Sequence, residues 1–133
     1  MTNQELYIQA KEAAGDSYSP YSDFRVGAVV LSKQGGLFYG TNVENSSYGI
    51  TICAERSAIV SAISSGHKTI DKIAIYAEKT VDGVIIEALT IPPCGACRQF
   101  MAEFGDDIKV IFKYKGELVE KTIDELLPYR FKL

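Results

Sequence analysis

The sequence has few of the features that would place it in a membrane or on nucleic acid. Its longest apolar run spans only about six residues, Val26 to Leu31, whereas a membrane-spanning helix needs ~20. Acidic residues outnumber basic ones, 17 against 14, which gives a net charge of −3. A polynucleotide-binding surface needs a concentrated positive field, and no basic run supplies one. We therefore expect neither a membrane nor a nucleic acid as a partner.

Cysteine and histidine are also scarce, with three cysteines and one histidine in 133 residues. The first residues, Met1 to Glu5, lack the basic and apolar regions of a secretory signal, so we expect a cytoplasmic protein. Three thiols in a reducing compartment cannot form a closed disulfide set, and their spacing has to be interpreted as chemistry instead.

Helical and strand patterns alternate along the chain without a repeat or a linker. A length of 133 residues corresponds to about one domain, which we assign to residues 1–133. The order predicts an α/β fold, a three-layer α/β/α sandwich around a mixed five-stranded sheet. The expected elements are a helix between the capping box Thr2–Glu5 and Gly15, strands 24–31 and 37–42, a helix over 53–65, a strand over 72–78, a helix from Pro93 to Gly105, strands 108–114 and 118–121, and a last helix opened by the capping box Thr122–Glu125.

The three cysteines all lie at predicted helix starts. Cys94 and Cys97 are three residues apart and therefore share one face of a first helical turn. Cys53 begins another helix about 40 residues earlier. Helix N-termini favour thiolates, and thiolates bind zinc well. The single histidine, His67, lies about 21 Å along the helix from Cys53 and cannot complete such a site, so we expect a solvated loop residue there.

A site with three protein ligands has a position left for water, which is typical of catalytic rather than structural zinc. Glu55 follows Cys53 by two residues and lies in the same first helical turn. Its carboxylate can reach the open position without being a ligand and can accept a proton there. Taken alone, a glutamate in a first turn only stabilises the helix dipole; beside three thiolates we interpret it as the catalytic base.

Two readings from other classes use the same residues. The pair Cys94 and Cys97 is also typical of a thioredoxin-like redox motif, which leaves Cys53 and Glu55 without a role and needs no metal. A structural zinc module is the other reading, and it requires a fourth ligand that the sequence does not offer.

Two segments match a known signature: Cys53-Ala54-Glu55-Arg56 and Pro93-Cys94-Gly95-Ala96-Cys97-Arg98-Gln99. Zinc nucleoside deaminases have Cys or His, any residue and Glu, followed later by Pro-Cys-x-x-Cys. Phe24 to Ala28, Asn42 to Asn45 and Glu125 to Pro128 are similar to further segments of one branch. Over most of its length the chain resembles the small, homotetrameric, zinc-dependent cytidine deaminases.

The resemblance implies a cytidine deaminase-like fold, one Zn²⁺ per chain and sites shared between subunits of a homotetramer. It implies that Cys53, Cys94 and Cys97 bind zinc and that Glu55 moves protons. The implied substrate contacts are Phe24 on the pyrimidine, Asn42 and Glu44 on the ribose, Ala54, and Ser46, Tyr48 and Phe131 reaching the site of a neighbouring subunit.

Residue chemistry is consistent with two of these assignments. Asn42 and Glu44 lie two apart on an extended segment and so face the same way, and a carboxamide beside a carboxylate suits sugar hydroxyls.

A Zn²⁺ ion with three thiolates has a net negative charge and is a poor Lewis acid unless a cation compensates it. Arg56 and Arg98 are the candidates for this role beside the metal segments.

The sequence therefore predicts hydrolytic deamination of cytidine and 2′-deoxycytidine to the uridines with release of ammonia, as in pyrimidine salvage. Within the same enzyme class, a deaminase of another cytosine compound such as blasticidin S is the nearest rival. The expected ribose contacts of Asn42 and Glu44 favour an ordinary nucleoside. A nucleic-acid deaminase is disfavoured by the net charge of −3.

Overall fold

A mixed β-sheet lies between helices on both of its faces, as the order of patterns predicts. The computed structural model describes all residues, 1–133. Its elements are α1 (Asn3–Ala14), β1 (Phe24–Ser32), β2 (Leu37–Thr41), a 3₁₀ turn (Tyr48–Ile50), α2 (Ala54–Ser64), β3 (Ile70–Val81), β4 (Val84–Glu87), α3 (Gly95–Ala102), β5 (Lys109–Tyr114), β6 (Glu117–Thr122) and α4 (Ile123–Leu126).

The main path of the sheet runs in the order β2-β1-β3-β5-β6. Strands β3 and β5 are parallel, and all other pairs are antiparallel. Helix α1 packs on one face, and α2, α3 and α4 pack on the other. The expected three-layer α/β/α class is confirmed. No helix combines the length and the apolar character that crossing a membrane requires.

The prediction of five strands is wrong, because the sheet has six. Strand β3 continues to Val81, turns at Asp82-Gly83 and pairs with β4. Both turn residues have positive φ, 50° and 77°, as a type I′ hairpin requires. The Asp-Gly dipeptide was an available signal. The following residues, Val84 to Ile86, are all apolar and exposed, so they lack the alternation that marks a half-buried strand.

Both predicted capping boxes are present. Thr2 Oγ1 accepts the backbone N–H of Glu5 at 3.1 Å, and Thr122 Oγ1 accepts that of Glu125 at 3.2 Å. The third helix differs from the prediction, because Pro93 lies before it and Cys94 is its N-cap. The Cys94 sulfur accepts the backbone N–H of Cys97 at 3.4 Å, so a thiol takes the place of the usual capping oxygen.

Two glycines let the helices rest directly on strand backbones. A Cβ atom on Gly27 in β1 would lie 2.0 Å from the carbonyl oxygen of Ala10 in α1. A Cβ atom on Gly40 in β2 would lie 2.2 Å from the backbone nitrogen of Ala58 in α2. These contacts fix the distance between sheet and helices, and the second one places the helix that begins beside Cys53.

We expect Gly40→Ala to lower the free energy of unfolding by about 1–3 kcal/mol, because the added methyl group pushes α2 away from β2. Urea unfolding followed by circular dichroism measures this change. Gly49→Ala is the control, since a Cβ atom there meets nothing within 4 Å, and it should stay within about 0.5 kcal/mol of the wild type. A Gly40→Ala protein as stable as this control would contradict the close approach.

Candidate metal centre

Two helix starts bring the three thiols together. Cys53 is the N-cap of α2, Cys94 is the N-cap of α3, and Cys97 lies in the first turn of α3. Their three sulfur atoms lie within 4.8 Å of one another, although about 40 residues separate Cys53 from the other two. The convergence of all three cysteines follows the prediction from their spacing.

The donor set fits zinc. At a Zn–S distance of ~2.3 Å, tetrahedral geometry separates ligand sulfurs by about 3.8 Å, which small side-chain rotations reach from the observed arrangement. No histidine nitrogen or carboxylate oxygen lies within 4.8 Å of all three sulfurs. A three-thiol set of this kind has one tetrahedral position left for water or substrate.

Hydrogen bonds within the cluster set the charge on its sulfurs. The pKa of Cys53 is lowered to about 5, because the Cys97 thiol donates a hydrogen bond to it and the Arg56 guanidinium lies beside it. The same hydrogen bond, together with burial, raises the pKa of Cys97. Arg56 Nη2 donates to Cys53 Sγ at 3.5 Å and to the carbonyl of Thr51 at 3.3 Å. Arg56 is thus the cation that contacts a sulfur of the cluster.

Arg98 has different partners. Its Nε donates to the carbonyl of Pro93 at 2.8 Å, and its Nη1 donates to the carbonyl of Leu126 at 2.7 Å. The guanidinium therefore ties the segment before Cys94 to the end of α4, and its hydrogen bonds go to backbone oxygens rather than to sulfur. Arg98 therefore holds the loop that carries Cys94 and donates no hydrogen bond to the thiols.

A cavity of about 250 Å³ opens beside the thiols. Glu55 is only 6% exposed and lies in its wall, and burial raises the pKa of this carboxyl above its usual range. Four larger surface clefts, of about 280, 310, 480 and 550 Å³, contain neither a cysteine nor Glu55. The small cavity is therefore the one whose wall contains thiols and a buried carboxyl. Its lining residues are Val26, Asn42, Thr51, Ile52, Cys53, Ala54, Glu55, Ile75, Ile91, Pro92 and Cys94.

Three of the predicted substrate residues lie around β1 and the segment after β2. Asn42 lines the cavity and its side chain is engaged with β1, because Nδ2 donates to the carbonyl of Phe24 at 2.8 Å and Oδ1 accepts the N–H of Val26 at 2.9 Å. The Phe24 ring is half-buried and is not part of the cavity wall. Glu44 accepts the backbone N–H groups of Tyr21 and Ser22 at 2.9 and 3.2 Å.

Ser46 and Tyr48 are not part of the cavity wall. Both contact Tyr21, which the sequence analysis did not assign to the site. Tyr21 Oη and Ser46 Oγ are 2.6 Å apart, and the Tyr21 ring packs edge-on against the Tyr48 ring with centroids 6.2 Å apart. Tyr21 therefore links the turn held by Glu44 to the loop that carries Ser46 and Tyr48. Only its place in a turn was visible in the sequence, since its partners lie more than 20 residues away.

Two remaining residues lie outside this cavity. Phe131 is 69% exposed, and its carbonyl accepts the side-chain amide of Gln99 on α3 at 3.1 Å. His67 is half-buried rather than solvated as expected. Its Nδ1 is 2.8 Å from Ser32 Oγ, and its ring packs against Phe38, so it supports the β1–β2 hairpin instead of the thiol cluster.

Comparison with known proteins gives one consistent family. Residues 1–113 match the model of the cytidine and deoxycytidylate deaminase zinc-binding region. A cytidine deaminase of Halalkalibacterium halodurans is 43% identical over 98% of this chain and 95% of its own length. A blasticidin-S deaminase of Bacillus cereus is 34% identical over 80% of this chain and 76% of its own length.

The structural comparison agrees with the sequence comparison. The crystal structure of cytidine deaminase from Burkholderia pseudomallei superposes with a TM-score of 0.85 at 38% identity, covering 98% of this chain and all of that one. Sequence and structure comparisons thus point to the same group of proteins. This chain belongs to the cytidine and deoxycytidylate deaminase family.

Proposed function

We propose that this protein is a zinc-dependent hydrolase that converts cytidine and water to uridine and ammonia. The observation that carries the proposal is the convergence of three thiols beside a small cavity whose wall contains Cys53, Cys94 and the buried carboxyl of Glu55. We assign the activity to residues 1–133 acting as one domain. Membership of the deaminase family and the likeness to curated cytidine deaminases support the same reaction.

Three cysteine sulfurs hold the metal in this proposal: those of Cys53, Cys94 and Cys97. When bound, zinc supplies Lewis-acid chemistry that makes water a nucleophile near neutral pH. The α2 and α3 N-termini direct positive partial charge at the sulfurs, and Arg56 adds a full positive charge beside Cys53. These groups offset the negative charge that three thiolates bring to the site.

Glu55 carries the protons. Its carboxylate accepts a proton from the attacking water and donates it to N3 of the cytosine ring. It then takes the proton of the new C4 hydroxyl, as the C4 carbonyl forms, and delivers it to the amine, which leaves C4 as ammonia. A base with these tasks works best with a pKa near the working pH, and burial moves Glu55 in that direction. Backbone N–H groups at the two cysteine-bearing turns can stabilise the tetrahedral carbon centre.

Substrate binding is assigned to the residues around the cavity. Ala54 and Asn42 line it. Phe24, whose backbone carbonyl accepts a hydrogen bond from the Asn42 side chain, provides the aromatic ring for the pyrimidine. One N–H of the Asn42 amide is left to donate to a ribose hydroxyl. Glu44 is oriented by the turn at Tyr21 and has acceptor capacity left for a second hydroxyl. Nothing in this set requires a 2′-hydroxyl, so we include 2′-deoxycytidine as a substrate.

We expect Glu44→Ala to lower kcat/KM for cytidine by roughly 10- to 150-fold, because a charge-assisted hydrogen bond contributes ~1.5–3 kcal/mol. Free cytosine lacks the sugar and should lose far less, while the zinc content stays at one per chain. Ammonia release from both compounds by the same zinc-loaded protein measures the difference.

Ser22→Ala is the matched control for this variant. It removes one hydrogen-bond donor to Glu44 but leaves the carboxylate in place, so its loss for cytidine should remain below about fivefold. An equal loss for cytidine and cytosine in Glu44→Ala would show that Glu44 shapes the turn and does not bind ribose.

A second copy of the chain completes the site in this proposal. Tyr48 and Phe131 are 75% and 69% exposed, and both lie away from the cavity of their own chain. Large aromatic rings in such positions favour burial against another subunit. We infer that Ser46, Tyr48 and Phe131 reach a neighbouring active site in a homotetramer, and that the enzyme serves pyrimidine salvage in the cytoplasm.

One experiment tests the activity directly. Purified, zinc-loaded protein is assayed for ammonia release from cytidine, 2′-deoxycytidine, cytidine 5′-monophosphate, cytosine and blasticidin S. We expect both nucleosides to be used well and the monophosphate poorly, since the Glu44 carboxylate repels a phosphate nearby. Preferred release from blasticidin S would assign the protein to the other activity found among its relatives.

A further inference from the structure

The C-terminal segment, residues 128–133, folds back on the loop between α3 and β5 and is held there by charge. Arg130 Nη2 forms an ion pair with Asp106 at 2.9 Å, and Arg130 Nη1 pairs with Asp124 of α4. The Arg130 side chain is only 14% exposed, although both aspartates are more than 60% exposed. We call these three residues the tail clamp.

The tail clamp fixes the backbone of the residue that follows it. Tyr129 has φ of 53°, in the left-handed region, so the chain reverses just before Arg130. Gln99 Nε2 on α3 then donates to the carbonyl of Phe131, and Lys132 Nζ pairs with Asp106 at 2.7 Å. Four side-chain contacts therefore hold three successive residues on α3, α4 and their loops.

The C-terminal segment gains little stability from packing on its own chain, because the Phe131 ring is 69% exposed. An exposed ring on an ordered backbone contributes little to the core. Ordering of a segment costs conformational entropy, which the tail clamp offsets in advance of any contact with a partner. The arrangement suits a ring that must be ready for a pocket outside its own chain.

We propose that Arg130 is a positioning residue that presents Phe131 to the active site of a neighbouring copy. This inference rests on the proposed function, in which Phe131 contacts substrate across a subunit boundary. A loosened tail presents the ring for a smaller fraction of the time, and apparent affinity falls in proportion to that fraction.

The test compares Arg130→Gln, Phe131→Ala and the double variant in steady-state assays with cytidine. We expect Arg130→Gln to raise KM about 10-fold with little change in kcat, as for a tail correctly placed about a tenth of the time. Phe131→Ala should raise KM at least as much. The double variant should match Phe131→Ala alone, because Arg130 acts only through the ring.

Two further measurements separate positioning from plain stability. Arg130→Lys keeps one ion pair and should recover part of the lost affinity. Lys33→Gln is the control, because it breaks an exposed ion pair with the neighbouring Asp107 that does not involve the tail, and its KM should change by less than about twofold. Amide hydrogen exchange of residues 129–132 should quicken in Arg130→Gln and remain unchanged in Lys33→Gln, whatever the activity.

The outcomes that overturn the inference are distinct from those that overturn the reaction. If the effects of Arg130→Gln and Phe131→Ala multiply in the double variant, Arg130 acts independently of the ring and the inference is wrong. If Phe131→Ala has the KM of the wild type, the inference also fails while the proposed deamination stands. A wild-type protein that releases no ammonia from cytidine would overturn the proposed function itself.

Discussion

Glu55→Gln is expected to lose nearly all turnover while keeping zinc and fold. The amide has the shape of the carboxylate but cannot accept and pass on a proton. General acid–base catalysis contributes 10²–10⁴-fold for one transfer, and the proposed mechanism gives Glu55 more than one, so kcat should fall by at least ~10³-fold. Ammonia release, zinc content and the melting temperature are measured on the same preparation.

The melting temperature gives this variant a second signature. Burial raises the pKa of Glu55 in the folded protein, so ionising this carboxyl destabilises the fold at pH values above its unfolded pKa. Gln removes this cost, and the variant should melt at or above the wild type near pH 7. Glu103→Gln, an exposed change at the end of α3, is the control and should keep full activity. A Glu55→Gln rate within tenfold of the wild type would rule out the proton role.

Each cysteine-to-alanine change, at Cys53, Cys94 or Cys97, should remove both zinc and activity. Changes in residues that only support a metal ligand already cost 10–100-fold in affinity, so loss of a ligand should leave less than about a tenth of an ion per chain. Elemental analysis after gel filtration measures the content. The control is wild-type protein that is stripped of zinc by a chelator and then reloaded with zinc. In the variants no other cysteine can replace the lost ligand, because the chain has only three. Full zinc occupancy in any one variant would exclude that cysteine from the ligand set.

Local rules predicted the parts of the fold that depend on neighbouring residues. The two capping boxes, the Lys115–Gly116 turn and the helix end at Gly66 all follow from contacts within a few residues. Strand β4 was missed because Val84, Ile85 and Ile86 are all apolar and all exposed, so their sequence lacks the alternation of a half-buried strand. The start of α3 shifted from Pro93 to Gly95 because a sulfur replaced the expected capping oxygen.

The candidate site shows the same division. The grouping of the three cysteines and Glu55 was predictable, because each lies at a helix start with a spacing that chemistry restricts. The partners of the two arginines were not predictable from adjacency. Arg56 contacts Cys53 one helical turn back, whereas Arg98 reaches the carbonyl of Leu126, 28 residues away. Tyr21 and the tail clamp depend on similarly distant pairs.

The division of the proposed zinc ligands between α2 and α3 has a consequence for folding. An ion held by Cys53 together with Cys94 and Cys97 cross-links two points about 40 residues apart. For a covalent cross-link of that span, the chain-entropy model gives roughly 4 kcal/mol, chiefly by restricting the unfolded chain. Metal binding that is specific to the folded state stabilises it in the same sense. The connection from α2 through β3 and β4 to α3 is then the part of the molecule whose unfolding depends most on the ion.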